Sequence, residues 1–530
     1  MTRTSDRSTL SDQLRREIID WPTEYHLSAR RHCLVRGLGI SSTDSVLELG
    51  CGCGAITRYL GELGATVVAV EGSLRRAEIA SARVHGLPTV TVLAERLTEL
   101  ELDRQYDWVL LIGVLEYAPA FVRGPDPIQT YLECVKKHLR PGGKLVVAIE
   151  NKLGTKYLNG IEEDHVSKRY WGVQGLYLPT QPRTFGRREL AQVLSDAGLP
   201  HQQFHCPFPD YKLPTLVISE HAMVEHRHEV INLFAELHGR GYATRARGEF
   251  CEPLVNREFL QNGILHELAN SFLVVASADA WSGGAEDVLA THYSPDRSAA
   301  FATETVFRST EGGLVVDKRR MRGETGRTCK TSQGNVNHVV GTVQFAHGES
   351  MWWGVARAAA RGGELPELLD ALGPWMDFLV GASTGDGRSL STMALPASFV
   401  DVGLSNVLQG RDGATLIDTE WRAERPVPLG WALWRAIAVF QSRLGRPTRG
   451  RASAMRIARM LCEQRGIGTS RVEFVRYRRL EREFSGEVGV HGSRGVLVRR
   501  CRAGLIPRFL TLANLVSSLA MRYGLNSRAS

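Results

Sequence analysis

The stretch Ser45–Ser73 constrains the fold of this chain more than any other. A short apolar strand leads into three glycines, apolar residues then recur at helical spacing, and a second apolar run ends at Glu71. Glycine has no Cβ atom, so the backbone can turn sharply here and approach a ligand closely. A carboxylate at the end of the second strand can accept both hydroxyls of a ribose. The stretch therefore predicts a βαβ unit whose nucleotide-type cofactor site includes Gly50, Gly52, Gly54 and Glu71.

Two classes of cofactor suit this unit. Glu71 lies about twenty residues beyond the glycines, which also fits the dinucleotide fingerprint, so NAD is the alternative. The loop, however, reads ELGCGCG rather than GxGxxG, and Glu48 precedes the first glycine. The stretch resembles motif I and the following acidic residue of class I S-adenosylmethionine (SAM) methyltransferases. That resemblance implies that SAM is the cofactor and that Glu48 belongs to its binding site.

Length and composition limit the remaining choices. A chain of 530 residues is too long for one hydrophobic core, so two or three domains are expected. With 43% hydrophobic and 23% charged residues, the composition is that of a globular protein. The N-terminal residues do not suit a signal peptide and no apolar run is long enough to span a bilayer, so a cytoplasmic location is expected. Nine cysteines without CxxC spacing predict neither disulfides nor a zinc site.

Strands and helices alternate through the rest of the first half. A predicted third strand leads to Glu95, a buried apolar run leads to Gly113, and LRPGGKLVVAIEN forms a further strand that ends at Asn151. This alternation predicts a parallel, doubly wound sheet that binds ligands at the carboxyl ends of its strands. The methyltransferase resemblance implies that Glu95 faces the adenine amino group and that Gly113 lies where substrate and cofactor meet.

Polar and aromatic residues follow Asn151. The segments KLGTKYLNGIEEDH, KRYWGVQGLYLPTQPRTFGRREL and CPFPDYKLPTLVISE resemble a narrower group of bacterial methyltransferases associated with surface-glycan assembly. The resemblance implies a glycan or a lipid-linked sugar as the acceptor. Because a neutral alcohol attacks poorly without a base, His165 and Asp164 are the predicted catalytic residues. A phosphate acceptor would need no base, and His165 would then be a solvated loop residue.

The second half carries a different set of polar residues. A predicted β-hairpin ends in VVDK at Lys318, and the segment Phe399–Trp421 contains Asp401, Asn406 and Asp418. The set resembles protein kinases and the aminoglycoside and choline phosphotransferases. That resemblance implies that Lys318 binds nucleotide phosphates, that Asp401 orients the acceptor hydroxyl, and that Asn406 and Asp418 hold Mg²⁺ for ATP. Since GxGxxG is absent and no His-Arg pair precedes Asp401, an inactive kinase-like scaffold is the alternative.

The predicted architecture has three parts. An α/β Rossmann-like class I methyltransferase domain occupies residues 1–285, an α+β kinase-like domain residues 286–445, and a basic, largely helical tail residues 446–530. The fusion resembles the bacterial O-antigen chain-terminating methyltransferase-kinases. That resemblance implies an acceptor on a lipid carrier at the cytoplasmic face of the membrane.

Positive charge is concentrated at the end of the chain. Residues 441–530 contain 19 arginines and five glutamates, a net charge of +14, against −6 for the remainder. A predicted helix beginning at Pro507 has one apolar face beside several arginines, so it can lie on anionic lipid or pack on the kinase-like domain. Peripheral membrane contact and packing on the kinase-like domain both stay open, and nucleic acid is not expected. The non-enzymatic alternative is an adaptor that binds a membrane or nucleic acid through this tail.

Overall fold

The structure is a computed structural model that describes residues 4–241, 248–281, 287–323, 327–362, 364–444 and 452–489. The predicted helix at Pro507 lies outside these ranges. The strands are β1 (Ser45–Leu49), β2 (Thr66–Val70), β3 (Val90–Leu93), β4 (Tyr106–Ile112), β5 (Leu139–Glu150), β6 (His201–Phe208), β7 (Leu216–Ser219), β8 (Ser271–Ser277), β9 (Val288–Ser294), β10 (Thr303–Thr310), β11 (Gly313–Arg320), β12 (Arg327–Thr331), β13 (Gly334–His338), β14 (Gly341–Gln344), β15 (Glu349–Ser350), β16 (Ala394–Leu395), β17 (Val407–Gly410), β18 (Gly413–Leu416), β19 (Trp421–Ala423) and β20 (Val427–Pro428).

The α-helices follow the same chain order. They are α1 (Asp12–Arg16), α2 (Trp21–Leu27), α3 (Ala55–Glu62), α4 (Leu74–Val84), α5 (Ala118–Phe121), α6 (Pro127–Lys136), α7 (Thr155–Leu158), α8 (Arg187–Asp196), α9 (Glu220–Glu225), α10 (Arg227–Val230), α11 (Glu252–Gln261), α12 (Leu265–Leu268), α13 (Met351–Ala360), α14 (Leu365–Ala382), α15 (Leu429–Leu444), α16 (Ala454–Glu463) and α17 (Arg471–Glu487). None of the helices in the described ranges is both long enough and apolar enough to cross a membrane.

Twelve strands form a single sheet, in the order β14-β11-β10-β9-β7-β6-β8-β5-β4-β1-β2-β3. The five strands β3, β2, β1, β4 and β5 run parallel to one another. From β8 onward each neighbouring pair is antiparallel. The parallel, Rossmann-like arrangement predicted for the first half is confirmed.

The parallel strands are buried on both faces. In β4, Val109 and Leu111 pack into one hydrophobic cluster, whereas Leu110 and Ile112 pack into another on the opposite face. A sheet covered by helices on both sides requires such a continuous apolar run, because successive side chains point to opposite faces. The sheet therefore holds the carboxyl ends of its parallel strands in fixed positions at one edge.

The sheet continues across the predicted boundary at residue 285. Strand β7 pairs antiparallel with β9, with Leu216 opposite His292 and Ile218 opposite Ala290. Leu216, Ile218 and Ala290 are all buried. One ladder of backbone hydrogen bonds thus joins the strands of the first half to those of the second.

The C-terminal part adds three small sheets and a group of helices. The sheets are β12-β13-β19, β15-β17-β18 and β16-β20. Trp375 of α14 donates its indole Nε1–H to the carbonyl of Val402 at 3.0 Å, which attaches the helix to the segment containing Asp401. In the described part of the predicted tail, Phe484 of α17 packs against Trp431 of α15, with ring centroids 5.7 Å apart. At least this part of the tail is therefore folded onto the rest of the chain.

The continuity of the sheet can be tested with proline. Thr291 lies in β9, which has a strand on each side, so its backbone N–H belongs to a hydrogen-bonded ladder. Proline at this position removes that donor and leaves a backbone carbonyl without its partner. We expect Thr291→Pro to reduce the free energy of unfolding by about 2–3 kcal/mol, measured by chemical or thermal unfolding. Thr342→Pro is the matched control, because Thr342 is exposed on the outermost strand. Equal, small losses in both variants would contradict the continuous ladder.

Candidate active site

Three glycines shape the turn between β1 and α3. Gly50, Gly52 and Gly54 have φ angles of +75°, +58° and +71°, a region that side chains disfavour. A Cβ at position 50 would lie 2.6 Å from Cγ2 of Val114, and one at position 54 would lie 3.1 Å from Ala80. Gly50 and Gly54 thus allow close packing against the segment after β4 and against α4. Gly52 faces more open space, where the nearest group is His26 at 3.6 Å.

Glu71 meets the glycine turn directly. Its Oε2 accepts a hydrogen bond of 2.9 Å from the backbone N–H of Gly52. Its Oε1 accepts from the N–H of Ser73 at 2.9 Å and from Arg76 at 2.7 Å. The Glu71 side chain is buried, whereas that of Arg76 is 54% exposed, so Arg76 can move away and leave the carboxylate to a ribose. The structure therefore brings together the two predicted halves of the cofactor site.

The other predicted cofactor residues occupy different surroundings. Glu48 is buried beneath the turn, where its Oε2 accepts from the Thr57 hydroxyl at 2.5 Å and burial raises its pKa to about 7. Gly113 has a φ of +71°, and a Cβ there would lie 2.6 Å from the Tyr211 hydroxyl oxygen. Glu95 follows β3 and is exposed. Its carboxylate accepts from the neighbouring N–H of Arg96 at 3.0 Å.

Helix α2, the second helix of the chain, covers the glycine turn. The carbonyl oxygen of His26 accepts a hydrogen bond of 2.5 Å from Arg83, a buried residue of α4. Burial, together with the charges of Arg31 and Arg83, lowers the pKa of the His26 imidazole to about 4. The neutral ring therefore forms one wall of the space beside Gly52. No local motif singles out His26, because its place depends on how α2 packs against α4.

Asp164, one of the two predicted catalytic residues, is already strongly bound. Its Oδ2 accepts from the ammonium groups of Lys156 and Lys212, each at 2.8 Å, and from the Tyr157 hydroxyl at 3.1 Å. Lys212 also pairs with Glu150, at the end of β5. In this arrangement Asp164 anchors its loop to the sheet. The sequence offered no spacing that links Lys212 to either acid.

His165, the other predicted catalytic residue, faces two buried carboxylates. Its Nε2 lies 3.7 Å from Oε2 of Glu150, which is longer than a hydrogen bond. Burial opposes protonation of His165, but the charges of Glu150, Glu116 and Glu163 dominate and raise its pKa to about 9. Burial and the Glu150 charge raise the pKa of Glu116 to about 7. Lys212 and His165 overcome burial and hold the pKa of Glu150 well below its usual value.

These acidic groups lie next to the turn of Gly50, Gly52 and Gly54, which is the predicted cofactor turn. Glu116 is two residues beyond Val114, whose side chain occupies the space left by the missing Cβ of Gly50. Tyr117 then packs edge to face against His165, with ring centroids 5.2 Å apart. The segment after β4 thus connects the cofactor turn to the cluster of Glu116, Glu150 and His165.

The second set of predicted residues also assembles in part. The Lys318 ammonium group pairs with Asp418, and it lies 3.0 Å from Glu420. Asp418 has a φ of +57°, which is uncommon for a residue other than glycine. The side-chain amide of Asn406 donates to the carbonyl of Asp401 at 3.1 Å. The carbonyl of Asn406 accepts from the N–H of Ile417 at 2.8 Å, which places this pair beside Asp418.

Sequence reasoning found Asp418 but missed the other groups around Lys318. Glu420 is buried and accepts from Arg297 at 2.5 Å, while Nε2 of His338 lies 3.3 Å from it. Burial opposes the charge on Glu420, but Arg297 and Lys318 hold its pKa well below the usual value. Lys318 is therefore part of a buried ionic network.

Comparisons with known proteins match the part of the chain that contains the glycine turn. Residues 47–145 match the family described as a methyltransferase domain. A demethylmenaquinone methyltransferase of Tropheryma whipplei (strain Twist) is 32% identical over 120 residues, which are 22% of this chain and 46% of that protein. A ubiquinone biosynthesis O-methyltransferase of Rickettsia conorii is 27% identical over 118 residues, 22% of this chain and 38% of that protein. The chain spans less than half the length of these curated relatives.

Solved structures show weaker likeness. The 1,6-didemethyltoxoflavin-N1-methyltransferase of Burkholderia thailandensis, bound to S-adenosylhomocysteine, is 19% identical, with a TM-score of 0.28 over 49% of this chain and 81% of that chain. The N-methyltransferase NodS of Bradyrhizobium japonicum WM9 is 20% identical, with a TM-score of 0.22 over 27% of this chain and 75% of that chain. Scores this low carry no argument. The family match supports a class I SAM-dependent methyltransferase domain in the first half, as predicted, with SAM as its cofactor.

The position of the SAM site can be tested at Gly52. Arginine at this position would be strained by the positive φ and would fill the space between the turn and His26. We expect titration calorimetry to show SAM binding by the wild type and none by Gly52→Arg. Gly86→Arg is the control, because Gly86 has a φ of +89° and open space around it. Equal SAM binding by both variants would place the cofactor elsewhere.

Proposed function

We propose that this chain transfers a methyl group from SAM to a hydroxyl group of a bacterial surface glycan or lipid-linked sugar. The observation that carries the proposal is the set of buried polar atoms of Glu116, Glu150 and His165 beside the cofactor turn. Buried polar atoms without partners are costly, so this space favours a polar acceptor over an apolar one.

The chemistry needs a group that takes up a proton. As the acceptor oxygen bonds to the methyl carbon, the carbon–sulfur bond of the sulfonium breaks and the hydroxyl proton must leave. Glu116 suits this role, because both of its carboxylate oxygens lack a hydrogen-bond partner among the described residues and burial raises its pKa to about 7. Asp164 acts differently, because Lys156 and Lys212 occupy its Oδ2, so we assign it a positioning role.

A sugar acceptor is supported by resemblance. The segments between Asn151 and Glu220 resemble bacterial methyltransferases associated with surface-glycan assembly. Tyr117 places an aromatic ring beside the cluster. A lipid-linked acceptor would bring the chain to the inner face of the membrane, where the basic tail can contact anionic lipid. Loss of vesicle binding on truncation after Phe440 would support that contact, and unchanged binding would count against it.

The proposed reaction can be tested with defined acceptors. We expect S-adenosylhomocysteine release and a methyl ether, detected by mass spectrometry, when SAM is supplied with lipid-linked oligosaccharides that carry free hydroxyls. His165→Asn should reduce this rate by about 10²-fold or more, since a proton acceptor or its partner is lost. Glu162→Gln is the control on the same loop. Methylation of a nitrogen or of a phosphate oxygen, or full activity of His165→Asn, would contradict the proposal.

A second function, phosphoryl transfer from ATP, is favoured by the contact between Lys318 and Asp418. In kinase-like enzymes a lysine grips the nucleotide phosphates and an aspartate holds Mg²⁺. Asn406 and Asp401 lie beside this pair through the Asn406–Ile417 hydrogen bond. The alternative is a scaffold, in which the buried network of Lys318, Glu420 and Arg297 only stabilises the fold.

Nucleotide binding separates these alternatives. We expect calorimetry to show ATP binding that requires Mg²⁺ and that Asp418→Ala abolishes, because the metal loses a carboxylate ligand. Asp412→Ala is the matched control, since Asp412 is exposed in the turn between β17 and β18. If the wild type binds no ATP in the presence of Mg²⁺, this part of the chain is a scaffold.

A further inference from the structure

The side chains of Glu116, Glu150 and His165 form a cluster that has unusually few hydrogen-bond partners. Among the described residues, both carboxylate oxygens of Glu116, Oε2 of Glu150 and Nε2 of His165 are buried without a hydrogen-bond partner. The neighbouring Glu163 shows the contrast, because its Oε2 accepts from the N–H groups of His165 and Val166 at 2.8 and 2.7 Å. Buried polar atoms without partners are rare in folded proteins, and a bound ion is one physical explanation for them.

The geometry suits a single cation. One ligand atom from each of the three residues lies within 4.8 Å of the other two, and His165 Nε2 is 3.7 Å from Glu150 Oε2. Ligand atoms bound at about 2.1 Å to one ion are separated by about 3.0–3.4 Å in octahedral or tetrahedral geometry. The Glu150–His165 pair therefore needs to close by well under 1 Å. Side-chain rotation alone can supply that movement.

The three side chains are held in place by the elements that carry them. Glu150 ends β5, and Glu116 lies in the short 3-10 helix that follows β4. His165 is carried by the loop that Asp164 attaches to Lys156 and Lys212. Neighbouring hydrogen bonds of this kind orient metal ligands and strengthen binding.

The two oxygens of Glu150 face different partners. Lys212 pairs with Oε1 of Glu150, which leaves Oε2 directed at the cluster.

We propose that Glu116, Glu150 and His165 bind one divalent transition-metal cation, of the Mn²⁺ or Zn²⁺ type. A set of two carboxylates and one imidazole suits these ions better than Ca²⁺ or Mg²⁺, which prefer oxygen ligands alone. Three protein ligands leave coordination positions open for another molecule. If the proposed function is correct, an acceptor hydroxyl would occupy one of them, the cation would stabilise the developing alkoxide, and the hydroxyl proton would pass to the Glu116 oxygen that does not bind the cation. Metal binding itself does not depend on that function.

The test uses the full chain carrying Asp418→Ala, so that the kinase-like site does not contribute bound metal. We expect electron paramagnetic resonance and calorimetry to show one Mn²⁺ site that Zn²⁺ displaces, without SAM or acceptor present. Adding Glu116→Gln or His165→Gln should weaken Mn²⁺ binding at least tenfold, as expected for loss of a ligand. Glu162→Gln, on the same loop but outside the cluster, should leave it unchanged.

Thermal unfolding shows whether a variant still folds. Glu116→Gln replaces a buried carboxylate that has no partner, so it should unfold without metal at the same or a higher temperature than its parent. Mn²⁺ should raise the midpoint of the parent but not that of Glu116→Gln. If neither Mn²⁺ nor Zn²⁺ binds at millimolar concentration, or binding survives both ligand substitutions, the cluster is only an ion pair of His165 with the glutamates. Absence of methyl transfer with metal binding intact would instead overturn the proposed function.

Discussion

The pairing of β1 with β2 on one side and β4 on the other is the constraint on which the rest of the site depends. Leu49 lies opposite Val70 and opposite Leu111, so the segments following all three strands leave the sheet at one edge. The missing Cβ of Gly50 then lets Val114 approach, and Glu71 reaches the N–H of Gly52. Without this register, the cofactor turn and the acidic cluster would not be neighbours.

Two acids near His165 have opposite surroundings. Oδ2 of Asp164 accepts three hydrogen bonds, whereas the carboxylate oxygens of Glu116 accept none among the described residues. A fully bonded carboxylate stabilises the loop that carries it, while an unbonded one lowers stability. Proteins tolerate such a loss mainly at functional sites, where a ligand compensates for it. This contrast is why we assign binding to Glu116 and positioning to Asp164.

The shared sheet gives the two halves a common frame. Lys318 lies in β11 and Glu71 follows β2, and both strands belong to the same twelve-stranded sheet. Their separation is therefore set by hydrogen-bonded strands between them rather than by a linker.

The sequence by itself determined the βαβ unit, the glycine turn with Glu71 and the parallel order of the first strands, because periodicity and glycine spacing are local properties. It also pointed to Lys318 and Asp418, which are 100 residues apart and do form an ion pair. Only the tertiary structure decided that Lys212 pairs with Glu150, 62 residues away, and that β7 pairs with β9 across the predicted boundary. Contacts of that kind depend on how distant segments pack, which no spacing along the chain records. For the same reason the partners of Asp164, and the lack of partners around Glu116, became apparent only once the loops were folded onto the sheet.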